Sequence, residues 1–411
     1  MPWRAFFFRN LTTKQTLIKN TFWLGLAEIV AKLVMFVVTI LVVRSFGPTN
    51  FGRLNLATAY AAIIVVFADF GLNIITTREI AKNKSEKDKY LSNIFTIKLI
   101  ISLIIWLITV FWVRDRLILL VLTFSLLQNF CLLLGAVFSG LEAMQYNFIS
   151  RSIYYLGLLA AAVWVTRTNP NPERLMKSYI LTTSLAFIVT FFMLKIKKIT
   201  LRPAFDFSFW RKIFKETLPF VGSSIIGVIY LNLDSILIGR YFGPEQVGFY
   251  QSAYKILFAF QSINIVNNSL FPRISALMAE EKYTTLKKLN VVVISLSLLG
   301  LIPLGVLMTI LAKPIMRIIY GSIYVSAAPA MVCLIWSGII FYFRNYVNNL
   351  LVAANQQYRV FYSLLAGTTV NALFNLLITP KFNFIYASIA MVLSELTILI
   401  YSSIQYARKE K

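Results

Sequence analysis

Residues 44–57 read RSFGPTNFGRLNLA, and 196 positions further on residues 240–253 read RYFGPEQVGFYQSA. Arg, Phe-Gly-Pro, Gly and Ala recur in register. Gly followed by Pro is a turn signal that closes one helix and opens the next. Each copy is flanked by apolar stretches of about 20 residues, the length a helix needs to cross a hydrocarbon layer about 30 Å thick. Two halves of six such stretches are the simplest reading of the chain. Both copies follow an odd-numbered stretch, so the halves share one orientation, as in parallel repeats related by an axis along the membrane normal.

Working outward, twelve spans emerge at roughly 21–43, 51–72, 94–113, 117–139, 151–166, 176–194, 216–239, 249–270, 290–311, 326–350, 361–379 and 386–405. The 411 residues are 58% hydrophobic and 14% charged, a balance suited to lipid rather than to a soluble core. The fold class is therefore an all-α integral membrane protein with about 12 transmembrane helices in two parallel lobes. The lobes divide at 1–198 and 199–411. The second opens with a basic amphipathic segment, Lys195 to Lys215, expected on the cytoplasmic membrane surface with Phe205, Phe207, Phe209 and Trp210 turned inward.

The net charge of +24 invites a nucleic-acid reading, but the placement of the charge argues against it. Most of the 40 Lys and Arg fall on one side of the span map. They include Arg4, Arg9, Lys14, Lys84, Arg151, Lys198, Lys212, Lys287, Arg408, Lys409 and Lys411. The positive-inside rule makes that side the cytoplasm, with both termini in it. The N-terminus has no signal-peptide pattern, so the first span is expected to direct insertion. Histidine is absent, which removes the commonest general base and metal ligand, and Cys131 and Cys333 lie in apolar runs where a disulfide is not expected. No G-x-x-x-x-G-K-[ST] loop is present to hold a nucleotide. No catalytic residue, metal or cofactor is expected.

Several further pieces, in order, carry a resemblance: Phe46-Gly-Pro-Thr-Asn-Phe-Gly52, Asp69-Phe-Gly-Leu72 running to Thr77-Arg-Glu-Ile-Ala81, and Ser139-Gly-Leu-Glu-Ala-Met-Gln145. Asp234-Ser-Ile-Leu-Ile-Gly239, Phe242-Gly-Pro-Glu-Gln-Val-Gly-Phe-Tyr250 and Leu270-Phe-Pro-Arg-Ile274 complete them. Over nearly its whole length the chain resembles the polysaccharide-biosynthesis branch of the multidrug/oligosaccharidyl-lipid/polysaccharide exporter superfamily, which includes the O-antigen (Wzx-like) flippases. It departs at Pro380-Lys-Phe-Asn-Phe-Ile-Tyr-Ala387, where the family often has glycines. The resemblance implies two six-helix lobes around a central hydrated cavity. It implies a cargo of undecaprenyl-diphosphate-linked oligosaccharide or polysaccharide repeat units, moved to the outer leaflet of a bacterial or archaeal cytoplasmic membrane. The expected partners are that lipid-linked sugar diphosphate, membrane lipids, H⁺ or Na⁺ and other envelope-glycan assembly proteins, but no nucleic acid.

Moving a diphosphate and sugars through hydrocarbon needs cations and hydrogen-bonding groups inside the spans, where each ionised residue costs about 2.5–3.5 kcal/mol. Substrate-binding candidates are Lys32, Arg344, Lys255, Asn268 and Asn345. Lys32 and Arg344, one from each half, are the candidates for the diphosphate. Glu28, Asp234, Asp69 and Glu395 are candidates for coupling or structural ion pairs, with Lys98 as the fourth intramembrane cation. Glu28 and Lys32, four apart, can pair on one helix face. Asp234 and Lys255 are placed to meet across the hairpin that turns at Gly243-Pro244. Lobe rocking driven by an ion gradient is the expected mechanism. Two other readings stay open: a Na⁺- or H⁺-coupled multidrug or organic-cation exporter of the same superfamily, and a membrane enzyme of cell-envelope glycan synthesis.

Overall fold

The computed structural model describes residue 10 and residues 12–408. Arg4, Arg9, Lys409 and Lys411, counted above with the cytoplasmic charge, lie outside the described residues. Among the described residues the regular structure is helical: α1 Thr13–Asp69, α2 Leu72–Lys82, α3 Lys87–Trp112, α4 Arg116–Gly140, α5 Met144–Thr168, α6 Pro172–Ile196 and α7 Phe207–Phe242. There follow α8 Pro244–Phe260, α9 Ile265–Ala279, α10 Tyr283–Ile310, α11 Ala312–Tyr320, α12 Ala328–Ala353, α13 Gln357–Leu377 and α14 Ile385–Ala407.

Ten helical stretches of the described residues are long and apolar enough to cross a membrane. The first, Thr13–Lys82, holds two of the twelve expected spans. The expected span at 249–270 is a correction. It is two helices, α8 and α9, parted by a 3-10 turn at Gln261–Asn264. Asn264 helps to break it, because its Nδ2 donates to the Gln261 carbonyl at 3.1 Å and so competes with the helical ladder.

Inside α1 the backbone turns at Gly47, with φ 68° and ψ 173°. Gly243, its counterpart in the repeat, has φ 84° and ψ 174°. This region of conformational space is in practice open to glycine alone, and the proline that follows each glycine starts a helix without a donor to satisfy. The repeat is thus a repeat of backbone geometry, not only of letters.

Backbone contacts divide the chain into two compact units, Met1–Phe46 with Ala57–Val228, and Gly47–Leu56 with Ile229–Lys411. Residues 199–228, read above as the start of the second lobe, group with the first unit. The reason is local. Residues 200–206 run extended along α3, and every second backbone N–H donates to one of its side chains. Thr200 donates to Asp88 at 3.0 Å, Arg202 to Ser92 at 3.2 Å, Ala204 to Thr96 at 3.1 Å and Asp206 to Asn93 at 3.2 Å. Two extended residues advance about 6.6 Å and one helical turn about 5.4 Å, near enough to keep the first three contacts in step, whereas the fourth, at Asn93, steps back along α3. Asp206 then caps α7 through Phe209 N–H at 3.0 Å, and Trp210 Nε1 donates to Asn93 at 3.0 Å. Of the aromatics expected inward, Phe209 is buried in the core of this unit, whereas Phe205 and Phe207 are exposed and lie against Trp210.

In the second unit α12 packs on α14, α8, α9 and α10, and α13 lies along α14. Here the two repeat copies meet. A Cβ built on Gly52 would lie 1.6 Å from the Pro244 carbonyl oxygen, and one on Gly248 would lie 2.0 Å from that of Pro48. Each glycine receives the backbone beside the other copy's proline, a reciprocal crossing that only a missing side chain permits.

Candidate functional site

The charged residues of the spans form local clusters within each unit. In the second unit, Tyr230 and Asp234 lie one turn apart on α7, and Asn371, Asn375 and Thr379 follow the same four-residue spacing along α13 and the turn after it. Asp234 is buried, at 3% exposure. It accepts from the Tyr250 hydroxyl and from Asn375 Nδ2 at 2.8 Å. Thr379 donates to Asn375 Oδ1 at 3.0 Å and extends the chain of hydrogen bonds. Glu395, on α14, accepts from the Tyr230 hydroxyl at 2.6 Å, and its Oε2 lies 2.9 Å from Arg344 Nε on α12, an ion pair without the angle of a hydrogen bond. The Arg344 guanidinium also sits 4.5 Å over the Phe341 ring.

Arg344, proposed from the sequence as a cation for the cargo, is thus held by Glu395. The expected Asp234–Lys255 pair does not form. Tyr250 faces Asp234, and Lys255, five residues further along the same continuous helix, lies about 140° round the axis and cannot share that face. No hydrogen bond or ion pair joins Lys255 to the described residues. Asn345 donates to Asn264 at 3.3 Å within a set of amides that includes Asn267 and Asn349, whereas Asn268 is exposed on α9 and lies outside it.

In the first unit Lys98, fully buried, lies 2.9 Å from Asp69 and donates to Asn73 at 2.7 Å and to Asn129 Oδ1 at 2.8 Å. Glu28 does not pair with Lys32. Its partner is Arg151 of α5, at 2.7 Å, because a guanidinium from a neighbouring helix reaches the carboxylate without bending along the α1 surface. Lys32 is exposed and has no partner among the described residues.

Arg151 was counted from the sequence as a loop charge, yet it sits two turns inside α5 and lines a cavity of 420 Å³ with Asn73, Gln128, Asn147, Tyr154 and Tyr155. The signal was present in Asn147, Ser150, Arg151 and Tyr154, whose spacing puts a polar stripe on one helix face. Among the described residues no cluster of three or more His, Cys, Asp or Glu could hold a metal, and both cysteines are free.

Three of the four candidate carboxylates are thus matched to cations, Glu28 to Arg151, Asp69 to Lys98 and Glu395 to Arg344, and the fourth, Asp234, is bonded to neutral groups. Of the four intramembrane cations singled out from the sequence, Lys32 and Lys255 are left over.

Against known proteins, the family described as polysaccharide biosynthesis protein matches residues 17–278, and the family described as MatE matches residues 219–377. The capsular polysaccharide biosynthesis protein CapF of Staphylococcus aureus is 22% identical over 93% of this chain and 98% of its own length. The probable low-salt glycan biosynthesis flippase Agl15 of Haloferax volcanii is 25% identical over 85% of this chain and 75% of its own. Among solved structures, lipid II flippase MurJ in an inward closed conformation superimposes with a TM-score of 0.73 at 13% identity, covering 93% of this chain and 86% of that one. At such identity the likeness speaks for the fold alone, an all-helical multi-pass architecture.

Proposed function

Since the chain belongs to the polysaccharide biosynthesis protein family, we propose that it is a flippase that carries a lipid-linked oligosaccharide, joined through a diphosphate, from the cytoplasmic to the outer leaflet by alternating access. The observation that carries this reading is the charge left over once the intramembrane pairs are counted. Lys32 and Lys255 have no carboxylate partner among the described residues, and no carboxylate in the spans is left exposed and unbonded. Unpaired cations in a low-dielectric setting attract phosphate oxygens through charge-assisted hydrogen bonds, roughly twice as strong as neutral ones. An exporter of organic cations needs the opposite sign, although the MatE match over residues 219–377 keeps that second reading in view.

Lys32 is assigned to the diphosphate. Asp234, which accepts from the Tyr250 hydroxyl and the Asn375 amide, is assigned to the coupling H⁺ or Na⁺, and Arg344–Glu395 to holding α12 on α14. The membrane is the cytoplasmic membrane, with both termini inside. The chain acts as a transporter, not an enzyme.

The test is a reconstituted vesicle assay with a fluorescent undecaprenyl-diphosphate-linked oligosaccharide, scoring the fraction reaching the opposite leaflet and its chemical integrity. Lys32→Ala is expected to lower the rate at least about 10-fold, the loss of one charge-assisted contact, and Lys32→Arg to retain part of it. Unimpaired transport by correctly inserted Lys32→Ala would remove the diphosphate assignment. A chemically altered substrate would point to an enzyme, and indifference to the lipid alongside export of organic cations would point to the second reading.

A further inference from the structure

The cavity of the first unit is left unexplained by charge pairing. Its 420 Å³ falls within the roughly 300–1,000 Å³ of small-molecule sites, and its lining sets polar groups beside the apolar Ile74, Leu132 and Ala136. It presents planar groups with paired donors and acceptors: the amides of Gln128 and Asn147, and the guanidinium of Arg151 bonded to the Glu28 carboxylate. Beside these stand two aromatic rings, Tyr154 and Tyr155, with the Arg151 guanidinium 6.0 Å from the Tyr155 centroid. Asn73 closes one side, fixed by accepting from Lys98 at 2.7 Å and donating to Asn129 at 3.1 Å. Asn147 is fixed as well, through Nδ2 to the Ser139 hydroxyl at 2.9 Å and to the Gly135 carbonyl at 3.3 Å.

Arrays of this kind select between ligand classes. A phosphate calls for an unpaired cation, and Arg151 is already neutralised by Glu28. An apolar drug would suit the Ile74, Leu132 and Ala136 part of the lining but would make no hydrogen bond with the amide, guanidinium and carboxylate groups beside it. A sugar ring satisfies both halves of the lining. Its neighbouring hydroxyls donate and accept at once, matching planar amide, carboxylate and guanidinium edges, and its C–H face can lie on an aromatic ring. Position agrees with chemistry. Lys32 stands four residues from Glu28 on α1, about 6 Å along one helix face, so a diphosphate held at Lys32 would bring its first sugar to the mouth of this cavity.

We propose that the cavity between α2, α4 and α5, lined by Gln128, Asn147, Arg151 and Tyr155 and bordered by Glu28, is the subsite for the diphosphate-proximal sugar of the cargo. The proposal rests on the flippase reading and adds to it the place of the sugar. It also makes this unit, rather than the amide cluster around Asn345, the part that discriminates between glycans.

The test uses the full chain in lipid nanodiscs and two probes, undecaprenyl diphosphate alone and the same lipid carrying one N-acetylglucosamine, with dissociation constants measured for each. The unsubstituted protein is expected to bind the sugar-bearing lipid about 10-fold more tightly, the effect of one or two net hydrogen bonds. Gln128→Leu removes polar groups at nearly constant volume. Gly135→Val fills the cavity from a position where a Cβ makes only an ordinary contact, 3.6 Å from Asn147 Oδ1. Each variant should bring the two affinities to within about 2-fold, leaving that for the sugar-free lipid unchanged, whereas Lys32→Ala should weaken both probes alike. A preference that survives both cavity variants overturns the subsite, as does equal weakening of both probes by them. A protein that binds both probes equally refutes the subsite alone. One that binds neither refutes the flippase reading together with it.

Discussion

Adding one methyl group at Gly52 forces two backbones apart. The new Cβ would stand 1.6 Å from the Pro244 carbonyl oxygen, where ordinary contact begins at 3.4 Å, so the segments must separate by about 1.8 Å. At Gly248 the corresponding distance is 2.0 Å, to the Pro48 carbonyl, and the required shift about 1.4 Å. In both cases the obstacle is main chain beside a proline, with no side-chain rotamer to turn away. Overpacking of this sort costs about 1–3 kcal/mol when side chains can adjust, and the upper end is expected here for Gly52→Ala. The crossing is reciprocal, so one displacement relieves both clashes, and the Gly52→Ala, Gly248→Ala double variant should cost clearly less than the sum of the singles. Gly300→Ala is the control, since a Cβ there meets nothing within 4 Å, and it should match or exceed the unsubstituted protein by the helix propensity of alanine, about 0.5–1 kcal/mol. Thermal unfolding of the purified protein in detergent, followed by intrinsic fluorescence, gives the ranking. A Gly52→Ala protein that melts with the control, or a double variant whose losses simply add, would refute the reasoning.

Three further expectations follow from local geometry. Arg344→Met should destabilise the protein by about 3–5 kcal/mol by stranding Glu395, while Arg344→Met with Glu395→Leu should recover most of that in the same unfolding assay; equal losses in both would mean that the pair is not the relevant contact. At Asp206, donation from the Phe209 N–H and the Ser208 hydroxyl holds the carboxyl below its ordinary range. A depressed carboxyl stabilises the native state fully above its unfolded value near about 3.9, and that contribution fades as pH falls through the lower native value. Amide exchange at Phe209, corrected for intrinsic rates, should therefore rise below about pH 4, and Asp206→Ala should abolish that dependence. Finally, single cysteines at Lys84, Lys198 or Lys287 in a Cys131→Ala, Cys333→Ala background should resist impermeant maleimides in intact cells; ready labelling there would reverse the orientation.

What could be read from the sequence was what one segment decides alone. Gly47 and Gly243 share a backbone conformation that only glycine tolerates, so the corner was visible in four letters, and apolar run length marked most of the spans. The break after Phe260 was hidden because Ile263 and Ile265 carry the hydropathy across a turn that Asn264 makes with its own side chain. Partner choice was harder still. Each residue turns a helix by about 100°, so a small error in placing a face exchanges one partner for another. Glu28 was near Lys32 in sequence but met Arg151, and Asp234 met Tyr250 where Lys255 was expected. Asp69 with Lys98 and Glu395 with Arg344 joined residues already singled out by their charge, although nothing in the sequence matched them to each other.

The extended segment from Thr200 to Asp206 carries a rule of substitution. Helix α3 recognises its main chain, through alternate N–H groups, so the identities of the side chains at 200, 202, 204 and 206 matter little to that contact, whereas proline there would delete a donor. The odd positions carry no such demand, and the one proline of the stretch, Pro203, occupies one of them. A proline scan should accordingly show a two-residue rhythm of tolerance and damage, while Asp88, Ser92, Asn93 and Thr96, which look like ordinary polar residues of a membrane helix, should resist change. In a divergent relative, the register of this strap would be traced through α3 while its own letters drifted.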